Sequence, residues 1–345
     1  MLLKDLGEFG FIDRIQELVS DDPRLIAGIG DDAAAFDLGD GRVLLASVDA
    51  VVEGSHFLRQ TAAPVDIGYK AVAAAISDIA AMGGTPTMVL VTFGAQADYD
   101  AEAAEAIIQG AQEATAAAGA VLAGGDVVAS QLGLLVAVAA IGEVARDGLL
   151  PRAGARRGDR LLVTGTLGDS AAGLGLLHSP HVILPDDVRE ELLRRHFRPT
   201  PRLAAGRVLG QEAGVHAVID ISDGLRQDLE HLCRLAERPV SGVPLRGTGA
   251  RIFADALPVS EACTRAAMAL RQPAHALALA GGEDYELLAA VAPDAAEAVC
   301  EAVRAAGEVD CAIIGVTSAG SEITVLDEAG YPLDLDSLGW EHFRG

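Results

Sequence analysis

The chain has 345 residues and a formal net charge of −24; half of its residues are hydrophobic and only 4% are aromatic. At roughly 150 residues per domain, this length predicts two domains, each able to bury its own core, and the hydrophobic fraction excludes a disordered acidic chain. The charge argues against nucleic acid or an anionic membrane surface as partner, because both attract basic proteins.

Helix and strand patterns alternate from the start. Glu8 to Val19 reads as an amphipathic helix, and Val43 to Val48 as an apolar strand ending at Asp49. Pro64 to Met82 has helical periodicity with a Gly83-Gly84 stop. Thr87 to Phe93 reads as a strand, Glu102 to Ala118 as an Ala-rich helix, and Val121 to Ala123 as a short strand entering a Gly124-Gly125-Asp126 turn. Leu132 to Gly142 is a further strand, and the Arg-, Gly- and Pro-rich run from Arg146 to Gly158 predicts a linker. Beyond it come a strand at Arg160 to Thr164 and helices from about Ser170, at Asp186 to His196 and at Pro201 to Glu212. Ala217 to Ile221 reads as a strand and Gly224 to Glu237 as a helix. Strands at Leu287 to Val291 and Ala312 to Val316 flank a helix from about Asp294. The expectation is an α/β (α+β) protein of two mixed domains, 1–145 and 146–345.

The first residues, Met1-Leu-Leu-Lys-Asp-Leu-Gly-Glu, carry acids where a signal peptide is basic and apolar. The apolar run Leu132 to Ile141 is too short to span a bilayer. Cys233, Cys263, Cys300 and Cys311 form no CxxC pair, which favours reduced thiols and a cytoplasmic protein. Lys4 and Lys70 are the only lysines, and neither sits in a P-loop or a protein-kinase motif.

The position of the acids is the informative feature. Gly30-Asp31-Asp32, Ser47-Val48-Asp49, Ser77-Asp78, Gly124-Gly125-Asp126, Asp220-Ile221-Ser222-Asp223-Gly224 and Gly281-Gly282-Glu283-Asp284 lie at strand ends or among small residues. Two carboxylates about 4 Å apart repel by roughly 4 kcal/mol at an effective dielectric of about 20. Converging loops of this kind therefore take up protons or bind hard cations, and all-oxygen ligands suit Mg²⁺ carrying substrate phosphates. Each run alone has a plainer reading. Asp31 or Asp32 caps a helix starting at Ala33, Asp49 ends a strand, Asp78 is a polar residue on a helix face, and Gly125-Asp126 and Asp223-Gly224 are ordinary turns. Spacing leaves both readings open. Gly28-Ile-Gly30-Asp-Asp-Ala33 matches the dinucleotide pattern GxGxxG/A, but two carboxylates in that turn repel a pyrophosphate unless a metal intervenes. Thr164 to Ser170 is either a phosphate-cradling turn or a plain strand-to-helix turn.

In this order, the runs GIGDDAAAF, SVDAVVEGSHF, YKAVAAAISDIAAMGGTP, AGGDVVAS, VTGTLGDSAAGL, HFRPTPR, VIDISDGLRQDL, GGEDYELL and GWEHF resemble the thiamine-monophosphate kinase family, within the superfamily of aminoimidazole ribonucleotide synthetase. The likeness spans residues 28–343. It implies transfer of the ATP γ-phosphoryl group to thiamine monophosphate, giving thiamine diphosphate, with several Mg²⁺ ions. It also implies a homodimer whose N-terminal sheets pair, and a second sheet flanked by helices. By resemblance, Asp32, Ser47, Asp49, Asp78, Asp126, Asp220 and Asp223 serve the metals, and Gly125, Asp126, Arg152 and Ser222 meet ATP, with Asp126 and Arg152 at the reacting phosphates. His56, Glu283 and Trp340 meet the thiamine substrate. Val48 departs from the Thr that relatives often carry. The attacking phosphate monoester has a second pKa of about 6 and needs no general base; the difficulty is holding two polyanions in line, which bridging cations address. Two alternatives stand beside this reading: another ATP-dependent enzyme of the superfamily, and a non-catalytic acidic protein that binds divalent cations.

Overall fold

The computed structural model describes residues 2–20, 22–236, 248–307 and 309–333. Two six-stranded sheets, each with helices, form a mixed α/β molecule. The first sheet uses β1 (Leu25–Ala27), β2 (Ala34–Asp37), β3 (Arg42–Val52), β4 (Thr85–Ala95), β5 (Val121–Ala129) and β6 (Leu135–Ala145), in the order β1-β2-β3-β6-β4-β5. Its neighbours are antiparallel except β4–β5. The second uses β7 (Arg160–Thr164), β8 (Val215–Asp220), β9 (Thr248–Phe253), β10 (Leu287–Val291), β11 (Cys311–Ala319) and β12 (Ile323–Leu326), in the order β12-β9-β11-β7-β10-β8.

One face of the first sheet buries Val43, Leu45, Val89, Val91, Val136 and Val138 in a shared core with the helix α2 (Pro64–Ala81). Alternation along β3 and β6 sets this face, since a strand's side chains point to opposite sides in turn. Pro64 starts α2 at a position that needs no N–H bond. Gly83, at φ 74°, ends it: Gly83 N–H donates to the Ala80 carbonyl and Gly84 N–H to that of Ile79. Thirteen of the 18 residues of α2 are buried, as befits a helix covered on more than one side. It also reaches the second half, where Gly206 lies against the Ala80 carbonyl, which a Cβ at that position would approach to 2.0 Å.

The helix α3 (Ala101–Ala117) crosses α2 at close range. A Cβ on Gly68 would stand 1.7 Å from the Ile107 carbonyl oxygen, and one on Gly110 the same distance from that of Val65. Gly68→Ala is therefore expected to force the helices apart and cost at least about 1–3 kcal/mol. The check is a lower urea midpoint at unchanged slope, and an unchanged midpoint would show that the helices part freely.

Several expectations need correction. Ala33 leads into the strand β2, so Asp31 and Asp32 do not cap a helix there; the same strand agrees with the reading against a dinucleotide turn at Gly28 to Ala33, which requires a helix. Gly124-Gly125-Asp126 is not a turn: β5 continues to Ala129, and Gly125 is required because a Cβ would lie 1.7 Å from the Val91 carbonyl oxygen. The short strands β1, β2, β9 and β12 and the helices α8 (Glu261–Leu270) and α9 (Ala274–Ala280) were not anticipated.

Candidate active site

Three elements distant in sequence deliver the central carboxylates. Asp32 lies in the turn before β2, Asp78 near the end of α2, and Asp220 is the last residue of β8. One oxygen from each lies within 4.8 Å of the others. Ser47 Oγ donates to Asp78, and Ser77 Oγ donates to Asp220 Oδ2 at 2.7 Å. Arg152 Nη2 donates to Asp32 Oδ1 at 2.5 Å, while the Arg152 backbone N–H donates to Asp31 Oδ1 at 3.1 Å. Asp32 Oδ2 and Asp220 Oδ1 are buried without a hydrogen-bond partner.

Burial, then the charges of neighbouring aspartates, hold Asp78 and Asp220 well above the ordinary carboxylate range. Burial also pushes Asp31 up to about 6, helped by Asp32 and opposed by Arg152. Such a group keeps protons at pH values where isolated carboxylates have lost them. Two unpartnered buried oxygens among three crowded carboxylates are what a hard divalent cation satisfies, so these residues fit Mg²⁺.

The cluster opens on a groove of about 1040 Å³ lined from both halves, by Asp32, Asp49, His56 and Asp78 and by Arg152, Asp220, Ser222, Asp223 and Glu283. Ser222 and Asp223 sit in the turn after β8. Asp228, on the helix α7 (Leu225–Leu235), holds that turn: its Oδ2 accepts the N–H groups of Ser222, Asp223 and Gly224 at 3.1, 3.2 and 3.1 Å. His56 Nδ1 accepts the Val52 N–H at 3.1 Å, which leaves the proton of a neutral ring on Nε2.

Antiparallel pairing of β10 with β7 and β8 brings Thr164, Asp220 and the 281–286 segment to one end of the second sheet. That segment zips to the turn after β8 through Glu283 N–H to Ser222 O (2.7 Å), Tyr285 N–H to Ile221 O (2.8 Å) and Ile221 N–H to Glu286 O (2.8 Å). Glu283 and Tyr285 hold φ of 64° and 51°, which non-glycine residues adopt only where surroundings enforce it. Arg202 supplies enforcement, forking onto Glu286 with Nε donating to Oε2 at 2.6 Å and Nη2 to Oε1, while Thr164 Oγ1 donates to Oε2 at 2.7 Å.

Lys70 of α2 ion-pairs with Glu283 Oε1 at 2.7 Å. Beside it, His196 Nδ1 lies 3.0 Å from Ser170 Oγ and 3.6 Å from Glu283 Oε2. Both neighbours share one ring nitrogen, so Ser170, His196 and Glu283 do not form a nucleophilic triad, which uses both. Burial, then the Lys70 charge, pulls the His196 pKa down to about 3.

Of the residues anticipated as metal ligands, Asp32, Asp78 and Asp220 converge, with Ser47 bonded to Asp78 and with Asp49 and Asp223 on the groove wall. Asp126 does not join them in one copy of the chain. It is exposed on the edge strand β5, in the cross-strand row Asp126–Thr92–Ala137–Ala50, whereas Asp49 shares the other face with Val138, Val91 and Gly125. Three strand spacings separate Asp126 from Ala50, about 14 Å. Val48 is 76% exposed and belongs to the same outward face as Asp126, so a hydroxyl there would point away from the three carboxylates. Trp340 lies outside the described residues. Sequence reading missed Lys70, Arg202, Asp228 and Glu286. Their signal was present in the runs YKAV, HFRPTPR, ISDGLRQD and GGEDYE, as polar residues that the fold buries.

Comparison with known proteins places the chain. The AIR synthase related protein N-terminal domain family matches residues 30–144, and the corresponding C-terminal domain family matches residues 156–328. The thiamine-monophosphate kinase of Mycobacterium tuberculosis (strain CDC 1551 / Oshkosh) is 39% identical over 289 residues, covering 83% of this chain and 81% of the relative. That of Salmonella typhimurium is 36% identical over 341 residues and 98% of each chain. The solved structure of AaThiL complexed with AMPPCP and TMP superposes with a TM-score of 0.83 at 31% identity, covering 99% of each chain. Identity above 30% along nearly the whole length, on the same two-sheet fold, means that the chain belongs to the thiamine-monophosphate kinase family of AIR synthase related proteins.

Proposed function

We propose that this chain transfers the γ-phosphoryl group of ATP to thiamine monophosphate by direct in-line attack, forming thiamine diphosphate and ADP. The observation that carries the reading is the convergence of Asp32, Asp78 and Asp220, with two unpartnered buried oxygens, beside a groove wide enough for two substrates. Asp32, Asp78 and Asp220, with Ser47, Asp49 and Asp223 near them, would hold Mg²⁺ ions. When bound, these ions supply charge neutralisation and alignment of the phosphates.

The residues supply the rest. The turn at Ser222 and Asp223, fixed by Asp228, offers a preformed edge to the nucleotide phosphates. Arg152 balances Asp31 and Asp32 and keeps fixed positive charge at the groove, a role given to Lys in P-loop enzymes. Asp126, on the outward side of β5, and its neighbour Gly125 are assigned to the nucleotide rather than to the buried carboxylates. His56 and Glu283 are assigned to thiamine monophosphate, as is Trp340 by family likeness. The exposed apolar residues Val48, Leu90 and Val128 on the first sheet's outer side favour a homodimer with that face covered. No described helix is long and apolar enough to cross a membrane.

The test is to incubate the folded protein with Mg·ATP and thiamine monophosphate and separate the products. Thiamine diphosphate and ADP in equal amounts are expected. ADP with free phosphate alone, or no turnover in ample Mg²⁺, would overturn the reading.

A further inference from the structure

Lys70 is 2% exposed and is one of only two lysines in the chain. It lies in line with Ala74 and Asp78, at i, i+4 and i+8 on α2, and both of those residues line the groove. Its ammonium engages Glu283 Oε1, so Oε2 is the oxygen that Lys70 leaves over. The Glu283 side chain keeps 23% exposure and faces the groove from a left-handed backbone.

We propose that Lys70 is a positioning residue: from behind the groove wall it holds Glu283 as an ionised carboxylate, in its left-handed conformation, to meet the cationic ring end of thiamine monophosphate. This deepens the kinase reading and rests on it. The thiazolium ring carries a permanent positive charge and no N–H of its own, so a charged carboxylate serves it where a neutral acid does not. Burial alone favours the neutral acid; Lys70, then His196, outweighs it and holds Glu283 below its ordinary range. His196 is itself neutral near pH 7, so the fixed charge comes from Lys70. Asp78 follows Lys70 by eight residues, about 12 Å of helix. One rigid element therefore sets both ends of the substrate, with the cationic thiazolium ring at Glu283 and the phosphate toward the carboxylate cluster.

The experiment compares Lys70→Met, Glu283→Gln and the double variant in melting temperature and steady-state kinetics. Lys70→Met is expected to raise the KM for thiamine monophosphate at least about tenfold, with the KM for ATP little changed. It is also expected to lower the melting temperature, because a buried carboxylate loses its partner. The double variant, which buries no charge, regains that melting temperature and keeps the raised KM. A pair with only a structural role predicts the opposite, recovery of both together, and that result overturns the proposal. So does an unchanged KM in a folded Lys70→Met protein. Lack of wild-type turnover strikes the kinase reading instead. In that case binding of thiamine, which has the cationic thiazolium ring and no phosphate, tests Lys70 directly: weaker binding to folded Lys70→Met than to the parent supports the proposal and equal binding overturns it.

Discussion

Asp220→Asn is expected to lower kcat by roughly 10²–10³-fold or more and, without divalent cation, to make the protein more stable. The two effects have one cause. Asp220 is 1% exposed and stands with Asp32 and Asp78 within a few ångströms, so removing its charge relieves repulsion that is otherwise relieved by a cation or a proton. Asparagine keeps an oxygen to accept the Ser77 hydroxyl, so the local shape is retained. The sign with pH follows from linkage. The folded-state pKa of Asp220 is raised above its ordinary 3.8, so its proton stabilises the fold at low pH and that contribution is lost as pH rises through the raised value. The advantage of Asp220→Asn over the parent in EDTA should therefore grow as pH rises. Added Mg²⁺ should raise the melting temperature of the parent and do little for the variant. Melting curves over pH, with and without Mg²⁺, read all of this. A variant that is less stable in EDTA would mean that the three carboxylates do not repel one another in the cation-free protein.

Arg202→Met is expected to give the largest stability loss of any single change discussed, about 3–5 kcal/mol. Glu286 has no exposed surface, and its charge is held by the Arg202 fork and the Thr164 hydroxyl. Burial pushes the Glu286 pKa up and Arg202 opposes it. Without Arg202 the carboxylate must protonate or draw in water. The 281–286 segment, which carries Glu283 at strained backbone angles, then loses its clamp. The double variant Arg202→Met, Glu286→Gln should recover most of the loss, because neither charge remains buried. Urea unfolding of both proteins decides the matter, and a loss below about 1 kcal/mol in the single variant would show that Glu286 is held by other means.

Local signals found the elements whose cause is local. The helix α2 follows from Pro64, from the small and apolar residues after it, and from Gly83 and Gly84. The apolar run Leu287 to Val291 forms the strand β10, within the bounds that the sequence predicts. Local signals misled at Gly124 and Gly125, where glycine reports close approach of β5 to the Val91 carbonyl and not a turn. The carboxylates stand out in the sequence one by one, but the convergence of Asp32, Asp78 and Asp220 depends on sheet order. Ser77 and Asp220 are 143 residues apart, and only the packing of α2 against the end of β8 joins them. The same holds for Lys70 with Glu283 and for Arg202 with Glu286, where each partner alone resembles an ordinary surface charge. Asp126 shows the converse: the family likeness groups it with the other aspartates, and pleat geometry sets it on the opposite face of the sheet.

The most direct test is anomalous diffraction from crystals grown with Mn²⁺ in place of Mg²⁺, an ATP analogue and thiamine monophosphate. The predicted result is Mn²⁺ ligated by carboxylate oxygens of Asp32, Asp78 and Asp220 and by phosphate oxygens of the nucleotide. Nucleotide bound in the groove, with no Mn²⁺ among those three carboxylates, would contradict the account.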